Sequence, residues 1–197
     1  MPATRPREYT ISPGIGLLRP ARQCPSPNQD DRPPGAELEL VVLHGISLPP
    51  GEFGGPYIEH FFTNCLDRAA HAYFETICEM QVSAHLLICR DGAILQFVPF
   101  QRRAWHAGAS SFRGRPRCND YSVGIELEGT DTTPYTSAQY AALAGVLHAL
   151  FASCPRLDAR AIAAHSDVAP GRKSDPGPAF DWLRLYDLLA DGPAARG

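Results

Sequence analysis

Short apolar segments typical of β-strands alternate along this chain with segments of helical periodicity, and this alternation constrains the fold more than any other feature. The apolar runs occupy residues 38–43, 82–89, 93–99, 121–129 and 159–165. Helical spacing marks residues 57–66, less clearly 71–80, then the segment after Thr136, and finally 181–190. The resulting order β-α-α-β-β-β-α-β-α predicts an α/β (mixed α+β) fold, a central mixed β-sheet flanked by helices, in a single domain of residues 1–197.

Local signals fix the ends of some of these elements. Asp91-Gly92 separates two strand-like runs and is typical of a hairpin turn. Thr136 and Gln139 have the spacing of a capping box, which predicts that a helix begins after Thr136. Residues 1–37 are rich in Pro, Arg and Asn, and they predict an irregular N-terminal arm packed on the domain.

The composition excludes several classes of function. The chain carries 18 Lys+Arg against 21 Asp+Glu, a net charge of -3, which disfavours a nucleic-acid-binding protein because phosphate binding requires a basic excess. The sequence contains no run of 18 apolar residues, so no membrane span is predicted. The first residues lack the apolar region of a signal peptide, so we expect a cytoplasmic protein whose six cysteines stay reduced.

Two histidines stand where predicted strands end. His44 and His165 each follow a strand-like run and enter a loop rich in Gly and Pro, and Lys173 and Asp175 follow His165 in a segment stiffened by prolines. Two imidazoles and one carboxylate would leave the fourth position of a tetrahedral zinc ion open for water. No local motif joins the two histidines, so taken singly each is more typical of a core or surface residue than of a ligand, and Lys173 of a solvated charge.

Glu126 lies within a predicted strand, on the face opposite Val123 and Ile125, so it faces either solvent or a cleft. Glu128 shares that face next to the exit turn and is predicted to be exposed to solvent. Among the other histidines, His85 is predicted to be a satisfied core residue. His106 is predicted either to line a groove or to make a structural hydrogen bond.

Longer stretches of the sequence resemble a known family. They include LVVLHGISLPPGEFGGPYI, VSAHLLICRDGAILQFVPF, RAWHAGAS, RCNDYSVGIELEGTD and HSDVAPGRKSDPGPAFDW, and they extend from about Gly14 to Leu189. On these stretches the chain is similar to the zinc-dependent N-acetylmuramoyl-L-alanine amidases of the amidase-2 type. The resemblance implies a mixed sheet flanked by helices, a fold shared with the peptidoglycan recognition proteins.

The resemblance also implies roles for individual residues. It implies that Zn2+ is the cofactor and that its ligands are His44, His165 and Asp175. Glu126 would be the general base, and Lys173 the cation that stabilises the transition state. Substrate contacts are implied for Gly45, Trp105, Arg117 and Arg172. Gly45 replaces an Asn common in the family and Gln81 an Arg, so the resemblance leaves the specificity for the peptide stem open.

The implied activity is zinc-dependent hydrolysis of the amide between 1,6-anhydro-N-acetylmuramic acid and the L-alanine of the stem peptide. The substrates would be small soluble muropeptides in the cytoplasm, cleaved for peptidoglycan recycling by a monomeric enzyme that binds neither nucleic acid nor membranes. Two alternatives stay open. One is a periplasmic-type amidase that acts on intact peptidoglycan. The other is a non-catalytic peptidoglycan-binding module, although such modules typically lack a zinc ligand.

Overall fold

The computed structural model describes residues 8–191 of the chain and confirms the predicted α/β architecture, a central mixed sheet flanked by helices. Residues 1–7 of the predicted arm, and residues 192–197 at the other end of the predicted domain, lie outside the described residues. No helix within 8–191 has the length and apolar character needed to cross a membrane. The six cysteines are free thiols.

The described part of the chain consists of short strands and helices. The strands within the described residues are β1 Thr10–Ile11, β2 Leu18–Arg19, β3 Arg22–Gln23, β4 Gln29–Asp31, β5 Leu40–Ile46, β6 Leu86–Ile88, β7 Ile94–Gln96, β8 Arg102–Ala104, β9 Ser111–Phe112, β10 Arg115–Pro116, β11 Ser122–Glu128 and β12 Ile162–Ala164. The α-helices are α1 Tyr57–Phe62, α2 Ser137–Ser153, α3 His165–Val168 and α4 Trp182–Ala190. Short 3-10 helices cover Ala72–Thr76, Cys118–Asp120 and Ala159–Ala161.

The central sheet has the strand order β12-β5-β11-β6-β7-β3. Its neighbouring strands are parallel except for β6 and β7, which form the predicted hairpin. The register pairs Glu126 of β11 with His44 of β5, and Ala164 of β12 with Leu43. Because β5, β11 and β12 are parallel, their carboxyl ends meet at one edge of the sheet. That edge positions the polar residues described below.

The two faces of the sheet have different roles. One face carries Val41, Leu43, Val123 and Ile125, which are fully buried in a core shared with α2 and α4. The start of α2 is fixed by the predicted capping box: Gln139 N donates to Thr136 Oγ1 at 3.1 Å, and Thr136 N donates to Gln139 Oε1 at 3.0 Å. The opposite face carries His44 and Glu126.

Some elements differ from the prediction. The helix predicted over 57–66 ends at Phe62, because Asn64 adopts the left-handed backbone conformation with a φ of 59°. The segment 71–80 forms only the 3-10 helix Ala72–Thr76. β5 continues to Ile46 instead of ending at His44, since its pairing with β11 continues that far.

The N-terminal arm is more regular than the sequence predicts. It contains β1 to β4, of which β3 extends the central sheet and β4 pairs with β8. The Arg32 side chain donates hydrogen bonds to the backbone carbonyls of Phe100, Asn119, Asp120 and Ser122. Burial lowers the pKa of Arg32 to about 10. The arm is therefore fixed to the segment that leads into β11.

Candidate metal centre and active site

A cleft of about 580 Å3 opens at the sheet edge where β5, β11 and β12 end. Five of the residues predicted for the metal and the chemistry line it: His44, His165, Asp175, Glu126 and Lys173. His44 lies within β5, Glu126 within β11, and His165 directly after β12. The structure therefore brings together residues that are up to 131 positions apart in the sequence.

Three possible metal ligands converge in this cleft. His44 Nδ1 lies 2.9 Å from His165 Nδ1 and 3.3 Å from Asp175 Oδ2, and His165 Nδ1 lies 3.0 Å from the same carboxylate oxygen. Donors about 2.0–2.1 Å from a tetrahedral zinc ion would be separated by roughly 3.3 Å. Within residues 8–191, this is the one group of three His, Cys, Asp or Glu side chains arranged to hold a metal ion. The donor types and their spacing fit a zinc ion.

Burial keeps the donor atoms in the forms that bind metals. His44 is only 1% exposed, and this burial lowers its pKa to about 4, so the imidazole is neutral at pH 7. Burial of the Asp175 carboxyl opposes its ionisation, but its contacts with the imidazole of His165, at 3.0 Å, and with that of His44, at 3.3 Å, outweigh this effect. They hold the pKa of Asp175 well below its usual range. A neutral imidazole and an ionised carboxylate are both ready to coordinate a cation.

Glu126 is a carboxylate in an unusual environment. Its Oε2 atom is buried and has no hydrogen-bond partner among residues 8–191. Burial, followed by the negative charge of Asp175, raises the pKa of Glu126 well above its ordinary value, while Lys173 acts in the opposite direction. A carboxylate with a raised pKa is a stronger base than an ordinary carboxylate, so next to a possible metal site it can take a proton from water and pass it on.

Glu128 corrects a prediction. The sequence predicted that it faces solvent, but the side chain is 3% exposed. Its carboxylate accepts hydrogen bonds from Gly54 N at 2.5 Å and from Arg90 N at 3.0 Å. The loop that follows β5 folds over this face of the sheet and covers Glu128. The sequence contains no local signal for that contact, because it joins residues 74 positions apart.

The predicted substrate contacts fall into two groups. Gly45 and Trp105 line the cleft, whereas Arg117 and Arg172 are not among the residues that line it in the described part of the chain. Arg117 is exposed and its Nε atom pairs with Asp120. Arg172 donates to the backbone carbonyls of Ala107 and Ala109.

Gly45 has a steric reason to lack a side chain. A Cβ atom at this position would lie 2.4 Å from the hydroxyl of Tyr135. That hydroxyl donates to the carbonyl of Pro176, next to Asp175, at 3.0 Å. Tyr135 therefore occupies the space beside the first histidine and supports the segment that carries the carboxylate.

An apolar wall of the cleft was not predicted as part of the site. It consists of side chains from α1 and from the segment after it, namely Phe61, Phe62, Tyr73, Ile77, Met80 and Val82. Tyr73 and Met80 are large apolar residues with 40% and 48% exposure. Their exposure depends on the path of the chain between α1 and β6, so the helical spacing alone suggested only packing residues.

Two further histidines, His85 and His106, have roles that can be compared with the prediction. His85 is fully buried and satisfied: its Nδ1 accepts from Gly124 N, and its Nε2 contacts Arg102 O at 3.1 Å. His106 both lines the cleft and makes structural hydrogen bonds, one of them to His44.

The sequence of this chain is similar to those of known amidases. The family model described as N-acetylmuramoyl-L-alanine amidase matches residues 34–178. The 1,6-anhydro-N-acetylmuramyl-L-alanine amidase AmpD of Salmonella typhimurium (strain SL1344) is 56% identical over 178 residues, which cover 90% of this chain and 95% of the relative.

Solved structures show the same similarity. A crystal structure of a selenomethionine derivative of AmpD has a TM-score of 0.88 and 54% identity, with 91% of this chain and 98% of that chain covered. The N-acetylmuramyl-L-alanine amidase AmiD from E. coli, in complex with the substrate anhydro-N-acetylmuramic acid-L-Ala-D-gamma-Glu-L-Lys, has a TM-score of 0.56 and 28% identity. That match covers 91% of this chain and 65% of the other.

Proposed function

This chain belongs to the N-acetylmuramoyl-L-alanine amidase family, and we propose that it cleaves the amide between 1,6-anhydro-N-acetylmuramic acid and L-alanine in soluble muropeptides. The observation that carries the proposal is the convergence of His44 Nδ1, His165 Nδ1 and Asp175 Oδ2 in the cleft that also holds the buried Oε2 atom of Glu126. The identity to AmpD over most of both chains supports the anhydro-sugar as the substrate.

We propose that His44, His165 and Asp175 hold a Zn2+ ion. Two nitrogen donors and one oxygen donor, spaced near a tetrahedral edge, support this choice. When bound, zinc would polarise the amide carbonyl and lower the pKa of water towards 7.

Glu126 is assigned the role of general base. Its unpaired, buried Oε2 can accept the proton of the attacking water. The raised pKa of Glu126 then allows the same carboxyl to pass a proton to the nitrogen of the departing L-alanine. The C–O bond forms first and leaves the negative charge on the carbonyl oxygen. The C–N bond then breaks as the carbonyl re-forms and the nitrogen takes the proton, so the amine leaves in neutral form. Removal of such a base typically slows a reaction by about 100- to 10,000-fold.

Lys173 is assigned the role of stabilising the negative charge that develops on the carbonyl oxygen. Its ammonium group lines the cleft and is close enough to lower the pKa of both Glu126 and His44. Loss of one such stabilising group typically reduces the rate by about 100- to 1,000-fold.

Substrate contacts are proposed for Gly45 and Trp105, which line the cleft with the apolar wall. We propose that Arg172 holds the loop after His106 in place, because its guanidinium group donates to two carbonyls of that loop. Arg117 is oriented towards Asp120, so its contact with the acidic peptide stem depends on a change of side-chain position.

We further propose that the enzyme works as a monomer in the cytoplasm, as one step of peptidoglycan recycling. The AmiD complex with a small anhydro-muropeptide supports a soluble fragment as the partner. The slight acidity of the chain is consistent with a partner other than nucleic acid.

The test is incubation of the zinc-loaded protein with an anhydro-muramyl tripeptide and, separately, with intact sacculi, followed by mass spectrometry. We expect release of the free tripeptide from the first substrate and little product from the second. Glu126→Gln is the matched control, since it keeps the size of the side chain but cannot act as a base. Cleavage of sacculi at a comparable rate would instead support an amidase of intact peptidoglycan, and no cleavage of either would support a binding module.

A further inference from the structure

We propose that His106 is a positioning residue that holds the proton of the His44 imidazole on Nε2, so that Nδ1 presents its lone pair to the metal. The inference rests on the proposed function, because it takes the His44–His165–Asp175 cluster as a metal site. It adds a residue outside the donor set and outside the groups assigned to the reaction.

The assignment of protons begins at Ser122, at the far end of a hydrogen-bonded chain. Ser122 Oγ lies 2.6 Å from the carbonyl oxygen of Cys118. A carbonyl can only accept, so the single hydroxyl proton of Ser122 is directed to Cys118. Ser122 Oγ is then an acceptor for its other neighbour, His106 Nε2, at 3.2 Å. His106 therefore carries its proton on Nε2.

The same reasoning continues to His44. With its proton on Nε2, a neutral His106 has a lone pair on Nδ1. That atom lies 3.0 Å from His44 Nε2, so His44 Nε2 is the donor. The proton of His44 is thereby fixed on Nε2, and its Nδ1 is free to accept. Nδ1 is the atom that faces His165 Nδ1 and Asp175 Oδ2.

The surroundings of His106 hold its ring in this position. The ring lies directly over Gly124 of β11: a Cβ atom there would be 2.4 Å from His106 Cγ. The backbone on either side is held by Asn119, whose Oδ1 accepts from His106 N at 3.2 Å and from Ala107 N at 2.8 Å. The bare glycine and the asparagine together place the imidazole within reach of His44.

The alternative arrangement would impair metal binding. If the proton of His44 were on Nδ1, it could be donated to Asp175 Oδ2 at 3.3 Å. That hydrogen bond would occupy two of the three donor atoms at once. A partner that fixes the tautomer of a metal-binding histidine typically contributes 10- to 100-fold in metal affinity.

The test compares His106→Leu with His106→Asn. Leucine removes the acceptor, whereas the Oδ1 atom of asparagine lies as many bonds from Cα as Nδ1 does and can accept from His44. Zinc affinity is measured by competition with a chromogenic chelator. We expect a loss of about 10- to 100-fold for His106→Leu, and recovery to within a few-fold of wild type for His106→Asn.

A second readout reports the tautomer itself. Two-dimensional 15N–1H NMR of the imidazole rings in metal-free protein should show His44 protonated on Nε2 in the wild type, and a mixture of tautomers in His106→Leu. If His106→Leu fails to fold, Ser122→Ala carries the test. It removes one hydroxyl group, and we expect a smaller loss of zinc affinity in the same direction.

Three results would overturn the inference: a wild-type His44 protonated on Nδ1, equal zinc affinities of the leucine and asparagine variants, or an unchanged affinity of Ser122→Ala where the leucine variant does not fold. The wild type separates this inference from the proposed function. A wild-type protein that binds no zinc would refute the metal site itself. If the wild type binds zinc and His106→Leu binds it equally tightly, only the role of His106 is refuted.

Discussion

Gly124→Ala is a small substitution with a large expected effect. Gly124 lies in the middle of β11, where alanine would normally be about 0.5–1 kcal/mol more stable than glycine. At this position, however, the new Cβ would lie 2.4 Å from Cγ, 2.6 Å from Nδ1 and 2.7 Å from Cδ2 of His106. The imidazole must therefore move away by about 1 Å to reach ordinary van der Waals contact.

Such a movement affects both stability and metal binding. Overpacking of a filled site typically costs about 1–3 kcal/mol, so we expect the free energy of unfolding of the metal-free protein to fall by that amount. The hydrogen bond from His44 Nε2 to His106 Nδ1, at 3.0 Å, would lengthen beyond hydrogen-bonding distance. Zinc affinity should then fall by about 10- to 100-fold.

Urea unfolding of the chelator-treated protein measures the first effect, and chelator competition measures the second. Gly55→Ala is the matched control. Gly55 is exposed, and a Cβ atom there would meet only ring carbons of Tyr57, at 3.3 and 3.6 Å. We expect this variant to keep the stability and zinc affinity of the wild type. A Gly124→Ala protein that is as stable as the control and binds zinc equally well would refute the packing argument.

Three further predictions concern residues around the cleft. Glu128→Ala should lower the free energy of unfolding by about 1–3 kcal/mol and speed amide exchange at Gly54, because two backbone donors lose their acceptor. The control is Glu52→Ala, at an exposed position. Equal urea midpoints of the two variants would contradict this prediction. Tyr135→Phe should lower the free energy of unfolding by about 1–2 kcal/mol, since the buried carbonyl of Pro176 loses its donor. An unchanged urea midpoint would contradict this prediction and show that water replaces the hydroxyl. Burial raises the pKa of Glu126, so the folded state retains this proton to a higher pH than the unfolded state, and stability falls as pH rises through that window. Glu126→Gln should therefore stabilise metal-free protein at pH 8 but not at pH 4, as measured by urea unfolding at both values, and equal effects at the two pH values would argue against the raised pKa.

The elements that the sequence predicts well are those whose signals are local. The capping box of Thr136 and Gln139 marks the start of α2, and Asp91-Gly92 marks the turn between β6 and β7. The alternation in β11 assigns Glu126 to the face opposite Ile125 because side chains alternate along any strand. Each of these features depends on residues within a few positions of each other.

The elements that it predicts less well depend on distant contacts. Glu128 has the same alternation as Glu126, yet the loop after β5 covers it, and only the folded chain reveals that loop. The register that pairs Glu126 with His44 joins strands about 80 positions apart, so periodicity cannot supply it. The strands of the arm are two or three residues long and are defined by their partners rather than by a pattern of their own.

The same distinction between local and distant signals applies to the candidate site. The two histidines are noticeable in the sequence because of their chemical type and because each follows a strand-like run, whereas Asp175 joins them as a ligand only through the family resemblance. The role of His106 depends on a ring that lies over Gly124 and between His44 and Ser122, and these residues belong to three separate segments. No spacing rule connects them. The apolar wall of the cleft likewise depends on the path of the chain after α1.

Zinc titration of chelator-stripped protein, with hydrolysis of an anhydro-muramyl tripeptide followed by mass spectrometry, tests the central claim most directly. If His44, His165 and Asp175 hold the metal on which the reaction depends, the rate should rise from near zero and saturate at about one zinc ion per chain. The product should be the free tripeptide, cut at the lactyl–alanine amide. A rate that is independent of zinc, or cleavage at a different bond, would contradict the account.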